Sequence, residues 1–97
     1  MGIMVLVQAN INPKFSSKIK SYFAEILPDT RAFDGCHYID VYFETDKPNN
    51  MVLVEKWDSR EHYQKHNVWR TETGVIDKIL SMVDGAASVR FFEEVDA

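Results

Sequence analysis

The alternation of apolar and polar residues along the chain predicts four β-strands. Each predicted strand is a run of β-branched, aromatic or other apolar residues whose side chains point in turn to opposite faces of a sheet. The predicted strands are Ile3–Asn10, Cys36–Thr45, Met51–Trp57 and Ala87–Val95. The segment Asp46–Asn50 has the composition of a turn, so the second and third strands are expected to form a hairpin.

Apolar residues at helical spacing predict a helix between the first and second strands. Asn12 and Pro13 form a start signal, because Asn accepts hydrogen bonds from the first free amides and Pro loses none at the first helical position. An apolar stripe then runs from Phe15 to Ile26. Pro28 is expected to end this helix, since proline cannot continue the backbone hydrogen-bond ladder.

A second helical region is predicted between the third and fourth strands. Asp58 is expected to cap it, and Glu61, three residues later, would complete a capping box. Asn67 is expected to begin a further helix, whose apolar face includes Trp69 and several residues of the segment 76–83. The region is therefore predicted to form two short helices.

The predicted order of elements, β-α-β-β-α-β, is that of the ferredoxin-like α+β fold, in which one antiparallel sheet carries the helices on one face. At 97 residues the chain has the length of a single domain, residues 1–97. The second face of the predicted sheet carries Tyr38 and Tyr42, whose rings favour burial. A second copy of the sheet would cover this face, so we expect a homodimer.

Composition narrows the classes of function. Hydrophobic residues make up 45% of the chain and aromatic residues 12%, which is too apolar for a disordered segment. The net charge is −4 with no basic block, so no nucleic acid partner is expected. No apolar run has the length of a membrane span and the first residues lack a signal peptide, so we expect a soluble cytoplasmic protein without a membrane partner. Cys36 is the only cysteine, which excludes an internal disulfide.

Two residues of the third strand are candidates for chemistry in a pocket. Glu55 and Trp57 are two positions apart, so they share one face of the strand with Leu53. A carboxylate on that face is either paired and structural, or has a shifted pKa and transfers protons. Trp57 either fills the gap between the sheet and the next helix or forms a wall of a ligand pocket. Both alternatives stay open for each residue.

His62 and His66 are four positions apart, so they lie on one face of a helix. That spacing can bind a metal together with a third ligand such as His37. Nothing places His37 beside them, however, and the His-Glu-x-x-His signature is absent, so no metal site is predicted. A histidine that titrates near neutral pH at the end of a pocket could instead remove a phenolic or enolic proton. Packing and hydrogen bonding at a helix junction is the alternative role for His66.

Together these residues resemble a known family. A strand that ends Glu55-x-Trp57, followed by Ser59 and then by His66 at the end of a short helix, resembles the antibiotic biosynthesis monooxygenase (ABM) domain. The resemblance implies small ferredoxin-like chains whose sheets pair into a dimeric α/β barrel. It also implies a cofactor-independent monooxygenase that oxidises an electron-rich phenol- or quinol-type molecule with dioxygen. In such an enzyme His66, Trp57 and Glu55 are the candidate catalytic residues, with His66 as the base and with Trp57 and Trp69 as walls.

Polar groups at strand ends and aromatic side chains near the helix junction are further candidates for contact with a substrate. They are Asn10, Trp69, Tyr38, Tyr42 and Arg90. No flavin or nicotinamide fingerprint is present, so no bound organic cofactor is expected, although a partner could supply reduced flavin. Two other functions stay open. One is an isomerase of a small phosphorylated metabolite, with Arg70 or Arg90 as the phosphate anchor, and the other is a dimeric ligand-binding module without catalysis.

Overall fold

The protein folds as one antiparallel sheet with helices on one face. The computed structural model describes residues 2–97, and within them the chain forms four strands and three α-helices. In chain order these are β1 (Ile3–Ile11), α1 (Ser16–Arg31), β2 (Cys36–Phe43), β3 (Asn50–Trp57), α2 (Arg60–Glu72), α3 (Val75–Leu80) and β4 (Val83–Glu93). The strands lie in the order β2-β3-β1-β4, and neighbouring strands are antiparallel. The predicted ferredoxin-like α+β class is thereby confirmed.

The central strand β3 carries two of the candidate residues into the core. Every second residue of β3 is buried, including Leu53, Glu55 and Trp57. Glu55 pairs with Val5 of β1 on one side and with Ile39 of β2 on the other, and both of these neighbours are buried. The two-residue period of a strand thus places a carboxyl group among apolar side chains.

The buried apolar side chains form two groups on the helical face of the sheet. The larger group joins buried residues of β1, β2 and β3 with α1, and it includes Leu27 of α1 and Leu53 of β3. The smaller group consists of Val5, Trp57 and Tyr63. Along β3 the carboxyl group lies between the two, so the position that separates them is polar.

The first helix begins as predicted but ends later. Asn12 accepts a hydrogen bond from a backbone N–H of the first turn, and a short 3₁₀ segment leads into α1. The prediction that Pro28 ends the helix is wrong, because α1 continues to Arg31. Tertiary contacts hold this last turn: Thr30 is buried, and the Arg31 guanidinium donates to the backbone carbonyl of Ile39 at 2.9 Å. They offset the hydrogen bond that a proline removes.

The second helical region is one long helix followed by a short one. Ser59 caps α2 by accepting a hydrogen bond from a backbone N–H at 3.2 Å, so the prediction that Asp58 is the cap is wrong. Asp58 instead forms an ion pair with His37 across the end of the sheet. Since α2 continues to Glu72, the prediction that Asn67 begins a second helix is also wrong.

Gly74 is the residue at which the two helices separate. Its φ of +82° lies in the left-handed region, which glycine adopts without the steric cost that other residues meet. Trp69 therefore lies in α2, whereas Ile76 and Ile79 lie in α3. The predicted common face of Trp69 and the segment 76–83 does not exist, because the chain changes direction between them.

The last strand begins earlier than predicted. β4 starts at Val83 instead of Ala87, and its pairing with β1 shifts register between Gln8 and Asn10. Gly85, with a φ of +75°, lies within that shift. A glycine inside a strand often marks a bulge, and here pairing resumes beyond it, between Asp84 and Asn10 and between Val83 and Ile11.

The outer face of the sheet, turned away from the helices, is rich in apolar and aromatic side chains. Leu6 of β1 and Val54 of β3 are register partners near its centre. Asp40 and Arg90 are the next register partners on either side of this pair. Tyr38, Tyr42 and Phe92 lie two positions further along the strands and are 40%, 56% and 39% exposed. Side chains of this kind on one continuous face are typical of a surface that associates.

No helix within residues 2–97 is both long and apolar enough to cross a membrane.

Candidate active site

A cavity of about 280 Å³ lies between the sheet and the helices. All three helices and all four strands contribute to its lining, and most of the lining side chains are apolar. Leu80 of α3 and Val89 of β4 are 47% and 45% exposed, so the cavity opens to solvent between these two elements, beside the bulge. Its polar lining residues are Thr30, Glu55, Tyr63, His66, Asn67 and Arg70. An apolar cavity with a few polar groups has the usual composition of a small-molecule site.

Glu55 brings a carboxyl group to this apolar lining. The residue is only 3% exposed, and its Oε1 accepts a hydrogen bond from the indole Nε1 of Trp57 at 3.0 Å. Burial raises the pKa of Glu55 to about 7, although the hydrogen bond from Trp57 lowers it in part. Because a buried carboxylate is costly without a cation beside it, the protonated and ionised forms are nearly balanced at neutral pH.

Trp57 lies behind the cavity and holds Glu55 in place. It is fully buried and does not line the cavity. Its ring packs against Phe33, Tyr63 and His66, with centroid separations of 6.2, 6.0 and 5.1 Å. These contacts fix the indole, and the indole N–H fixes one oxygen of the carboxyl group.

His66 is the centre of a hydrogen-bond network that joins α2 to α1. Its Nε2 lies 3.0 Å from Oγ1 of Thr30 and 3.4 Å from Nε of Arg70, and its Nδ1 lies 3.3 Å from Oδ1 of Asn67. Since a guanidinium can only donate, Nε2 must accept, and the ring proton is on Nδ1 and is donated to Asn67. The Thr30 hydroxyl then donates to Nε2 and accepts from Arg70 at 2.8 Å.

This network keeps the imidazole neutral. Burial lowers the pKa of His66 to about 4, the bond to Asn67 opposes that effect in part, and the positive charge of Arg70 lowers the pKa further. The lone pair on Nε2 is already occupied by two donors. His66 is therefore an uncharged, well-fixed part of the cavity wall at neutral pH.

Arg70 is buried, as are its hydrogen-bond partners Thr30 and His66. It is 5% exposed, and its Nη2 donates to the backbone carbonyl of Ile26 at 2.6 Å as well as to Thr30. Burial lowers the pKa of Arg70, yet a guanidinium remains charged at any physiological pH. One end of the cavity therefore carries a fixed positive charge.

The five substrate-contact candidates lie outside the cavity. Trp69 stacks on Phe33 at 5.4 Å and meets His66 edge to face at 5.8 Å, so it belongs to the aromatic packing behind the site. Tyr38, Tyr42 and Arg90 lie on the outer face of the sheet, and Asn10 is exposed at the end of β1. The structure thus brings Glu55 and His66 to one cavity, with Trp57 and Trp69 packed behind it.

The sequence interpretation missed Thr30, Tyr63 and Asn67, and it considered Arg70 only as a phosphate anchor. His66 and Asn67 lie three and four residues after Tyr63 and four and three residues before Arg70, so all four share one face of α2, which was the available signal. Thr30 gave no signal, because the first helix is predicted to end before it.

The histidines do not form a metal site within residues 2–97. Nδ1 of His62 bonds the Ser59 hydroxyl at 2.6 Å and its Nε2 lies 3.7 Å from a carboxylate oxygen of Asp34, while the exposed His37 pairs with Asp58. In this part of the chain, no three His, Cys, Asp or Glu side chains are grouped as metal ligands.

The fold and the cavity define a ferredoxin-like α+β domain with a mainly apolar cavity between its sheet and its helices. The chain belongs to the antibiotic biosynthesis monooxygenase family, which matches residues 2–68, so the resemblance to that family is confirmed. No curated protein sequence matches the chain.

Solved structures show the same fold at low sequence identity. A conserved protein from Methanosarcina mazei Go1 has a TM-score of 0.89 at 15% identity, with 98% of this chain and 94% of that chain covered. Rv0793 from Mycobacterium tuberculosis has a TM-score of 0.86 at 21% identity, with 100% and 98% covered. A protein described as an antibiotic biosynthesis monooxygenase has a TM-score of 0.86 at 20% identity, with 96% and 98% covered.

Proposed function

We propose that the chain is a cofactor-independent monooxygenase that oxidises an electron-rich aromatic molecule of the phenol or quinol type with dioxygen. The observation that carries the proposal is Glu55, a buried carboxyl group with a pKa of about 7 in the wall of an apolar cavity. Such a group accepts and returns a proton at neutral pH, which is what a general base requires. Membership of the antibiotic biosynthesis monooxygenase family supports this class of reaction.

The chemistry needs no electrons from outside when the substrate carries an activated methylene group next to its aromatic rings. The Glu55 carboxylate takes one proton from that carbon, and the resulting anion transfers an electron to dioxygen. One oxygen atom then bonds to the carbon as a carbonyl, and the other leaves with both hydrogens as water. The substrate supplies all four electrons, and the protein supplies the base, the orientation and the exclusion of water.

The geometry favours Glu55 over His66 as the base. The Nε2 lone pair of His66 is occupied by donors from Thr30 and Arg70, whereas Glu55 has a single hydrogen bond, from Trp57. In this scheme Trp57 and His66 are positioning residues. Trp57 orients the carboxyl group, and His66 holds the cavity wall in a neutral form.

The apolar lining also weighs against the phosphorylated metabolite considered above. A phosphate group would have to leave water for a cavity whose walls are mostly aliphatic and aromatic, with one guanidinium as its cationic partner. A non-catalytic module that binds an aromatic ligand in the same cavity would use the same contacts, and the oxygen measurement described below separates it from an oxygenase.

We also propose that the active form is a homodimer in which two sheets pack through their outer faces. The apolar centre at Leu6 and Val54 and the half-exposed rings around it support this arrangement. A single sheet layer with helices on one side leaves its other side open, and pairing two copies closes it symmetrically.

Oxygen consumption by the purified protein tests the proposed reaction. A panel of anthrones and hydroquinones is added under anaerobic conditions, air is admitted, and uptake is compared with that of the substrate alone. We expect uptake to rise as the pH passes through about 7, because Glu55 becomes ionised. Glu55→Gln should lower the rate about 100-fold or more, whereas Glu61→Gln, an exposed position on α2, should leave it unchanged.

Two results would contradict this assignment. Uptake that survives Glu55→Gln would remove Glu55 as the base. Tight binding of the aromatic panel without any oxygen uptake would favour the ligand-binding module.

A further inference from the structure

Arg70 is a buried cation without a carboxylate partner. It is 5% exposed, and none of the ion pairs within residues 2–97 includes it. Asp29 of α1 is exposed and raises the pKa of Arg70 only from a distance. Its guanidinium carbon lies 4.1 Å from the centroid of the Trp69 ring, a cation–π contact that compensates the buried charge in part. An anion beside the guanidinium would supply the full counter-charge that no ion pair provides.

The hydrogen bonds of Arg70 leave one part of its guanidinium uncommitted. Nε donates to His66, and Nη2 donates to the carbonyl of Ile26 and to Thr30. Within residues 2–97 Nη1 has no protein acceptor, and since no buried side-chain nitrogen or oxygen there lacks a partner, its two N–H donors reach accessible space. Since Arg70 lines the cavity, a ligand there can supply the missing acceptor.

We propose that Arg70 is the binding site for an anionic oxygen of the ligand, a carboxylate or a phenolate, whose apolar body fills the rest of the cavity. Charge-assisted hydrogen bonds to a guanidinium are among the stronger ones, and they would neutralise the buried charge. The assignment rests on the cavity being the ligand site of the proposed function, but it does not require that the ligand be oxidised. In the oxidation itself, the anion formed when Glu55 takes a proton would be stabilised by Arg70.

The polar groups of the cavity give this subsite a defined dependence on pH. Of the titratable lining groups, Glu55 has a pKa of about 7, His66 has one of about 4, and burial raises the pKa of Tyr63 above its ordinary value. Behind Glu55, burial raises the pKa of the Cys36 thiol to about 11. Between about pH 5 and about pH 9 the lining therefore gains one negative charge, at Glu55, and that charge repels an anionic ligand.

Calorimetric titration of the wild-type protein with 2-naphthoate and with its neutral isostere 2-naphthamide tests the subsite. At about pH 6 we expect naphthoate to bind about tenfold more tightly or better, because only the anion pairs with Arg70. At about pH 8 the advantage should shrink as Glu55 ionises, while the affinity for naphthamide stays nearly constant. Equal affinities for the two ligands, or no binding of either, would overturn the proposal.

Substitutions then assign the effect to one residue. Arg70→Gln should abolish the preference for naphthoate with little change for naphthamide, and Arg70→Lys should retain part of it because the charge remains. Arg60→Gln, an exposed position on the same helix, is the matched control and should retain the full preference. A preference that persists in Arg70→Gln would also overturn the proposal. The wild-type comparison stands even if an Arg70 variant fails to fold.

The outcome is separable from that of the oxygen experiment. A preference for the acid without oxygen uptake would leave the anion subsite in place and remove the oxygenase. Oxygen uptake together with equal affinities for naphthoate and naphthamide would support the oxygenase and overturn the anion subsite.

Discussion

At the scale of single residues, the site depends on a carboxyl group that the fold holds out of water. Glu55 is enclosed by buried neighbours in β1 and β2, and Trp57 provides its one hydrogen bond. Desolvation raises the pKa of Glu55 from 4.5 to about 7, so the group is matched to proton transfer at neutral pH. The same desolvation must reduce stability once the carboxyl ionises, because an unfolded chain ionises it at a lower pH.

The Glu55→Gln variant should therefore become more stable relative to wild type as the pH rises. Below pH 4.5 the Glu55 carboxyl is protonated in both the folded and the unfolded wild type. The difference in unfolding free energy between variant and wild type is therefore constant there. Between pH 4.5 and about 7 the unfolded wild type releases a proton that the folded protein retains, so the folded state loses stability. The variant should gain up to about 3 kcal/mol over this window, measured by denaturant titration at several pH values. A difference that does not vary with pH would mean that Glu55 is not desolvated.

At the scale of elements, the contact between α1 and α2 forms one end of the cavity. The last turn of α1 follows Pro28 and is held by Thr30, whose hydroxyl lies 3.0 Å from Nε2 of His66 and 2.8 Å from Nη2 of Arg70. Since Thr30 is buried, both bonds are shielded from competing water. The continuation of the helix and the network on α2 therefore depend on each other.

Thr30→Val should test this dependence. The substitution keeps the shape but leaves Nε2 of His66 with only the long 3.4 Å bond from Arg70, and it removes one acceptor of the Arg70 guanidinium. The expected cost is about 1–3 kcal/mol in unfolding free energy. Thr71→Val, an exposed position where the hydroxyl bonds a backbone carbonyl of the same helix, should change stability by less than about 0.5 kcal/mol. Chemical denaturation of both variants gives the comparison, and equal effects would show that the network contributes little.

Strand periodicity made most of the fold predictable from the sequence. Alternation in β3 correctly places Glu55 and Trp57 on one inward face, and the order of elements leads directly to the ferredoxin-like sheet. Local helix signals were less informative, because tertiary contacts overrode them. Pro28 does not end α1, and Asp58 is drawn into a pair with His37 while Ser59 becomes the cap.

The candidate site was predictable only in part. The carboxylate on the inward face of β3 and the histidine on α2 follow from spacing alone. The number of hydrogen-bond donors around His66 does not follow from spacing, because Thr30 and Arg70 reach the imidazole through the packing of two helices. The preference for Glu55 as the base depends on those donors, so it required the three-dimensional structure.

At the scale of the whole molecule, the two faces of the sheet have different roles. One face packs on the helices and lines the cavity. The other presents the apolar pair Leu6 and Val54 between Asp40 and Arg90, with tyrosine and phenylalanine further along the strands. The cavity opens between α3 and β4, on the helical side. Pairing two sheets through their outer faces would leave that opening accessible.

A charge at the centre of the outer face should therefore prevent association without closing the site. Val54→Glu places a carboxylate beside Leu6, where an apposed sheet would have to desolvate it. We expect wild type to sediment at about twice the chain mass and the variant at about the chain mass. Val68→Glu, at a 56% exposed position on α2, should sediment like wild type. A monomeric wild type would contradict the proposed dimer.

The alternation along β3 also has a consequence for how the family can vary. Inserting or deleting one residue between Leu53 and Trp57 would exchange the two faces of the strand, sending Glu55 outward and bringing Lys56 or Val54 inward. Unless a bulge absorbs the change, as between β1 and β4, no intermediate arrangement exists, because a strand has only two sides. Length changes are therefore tolerated in the 44–49 connection, which is exposed, but within β3 they would remove the site in one step.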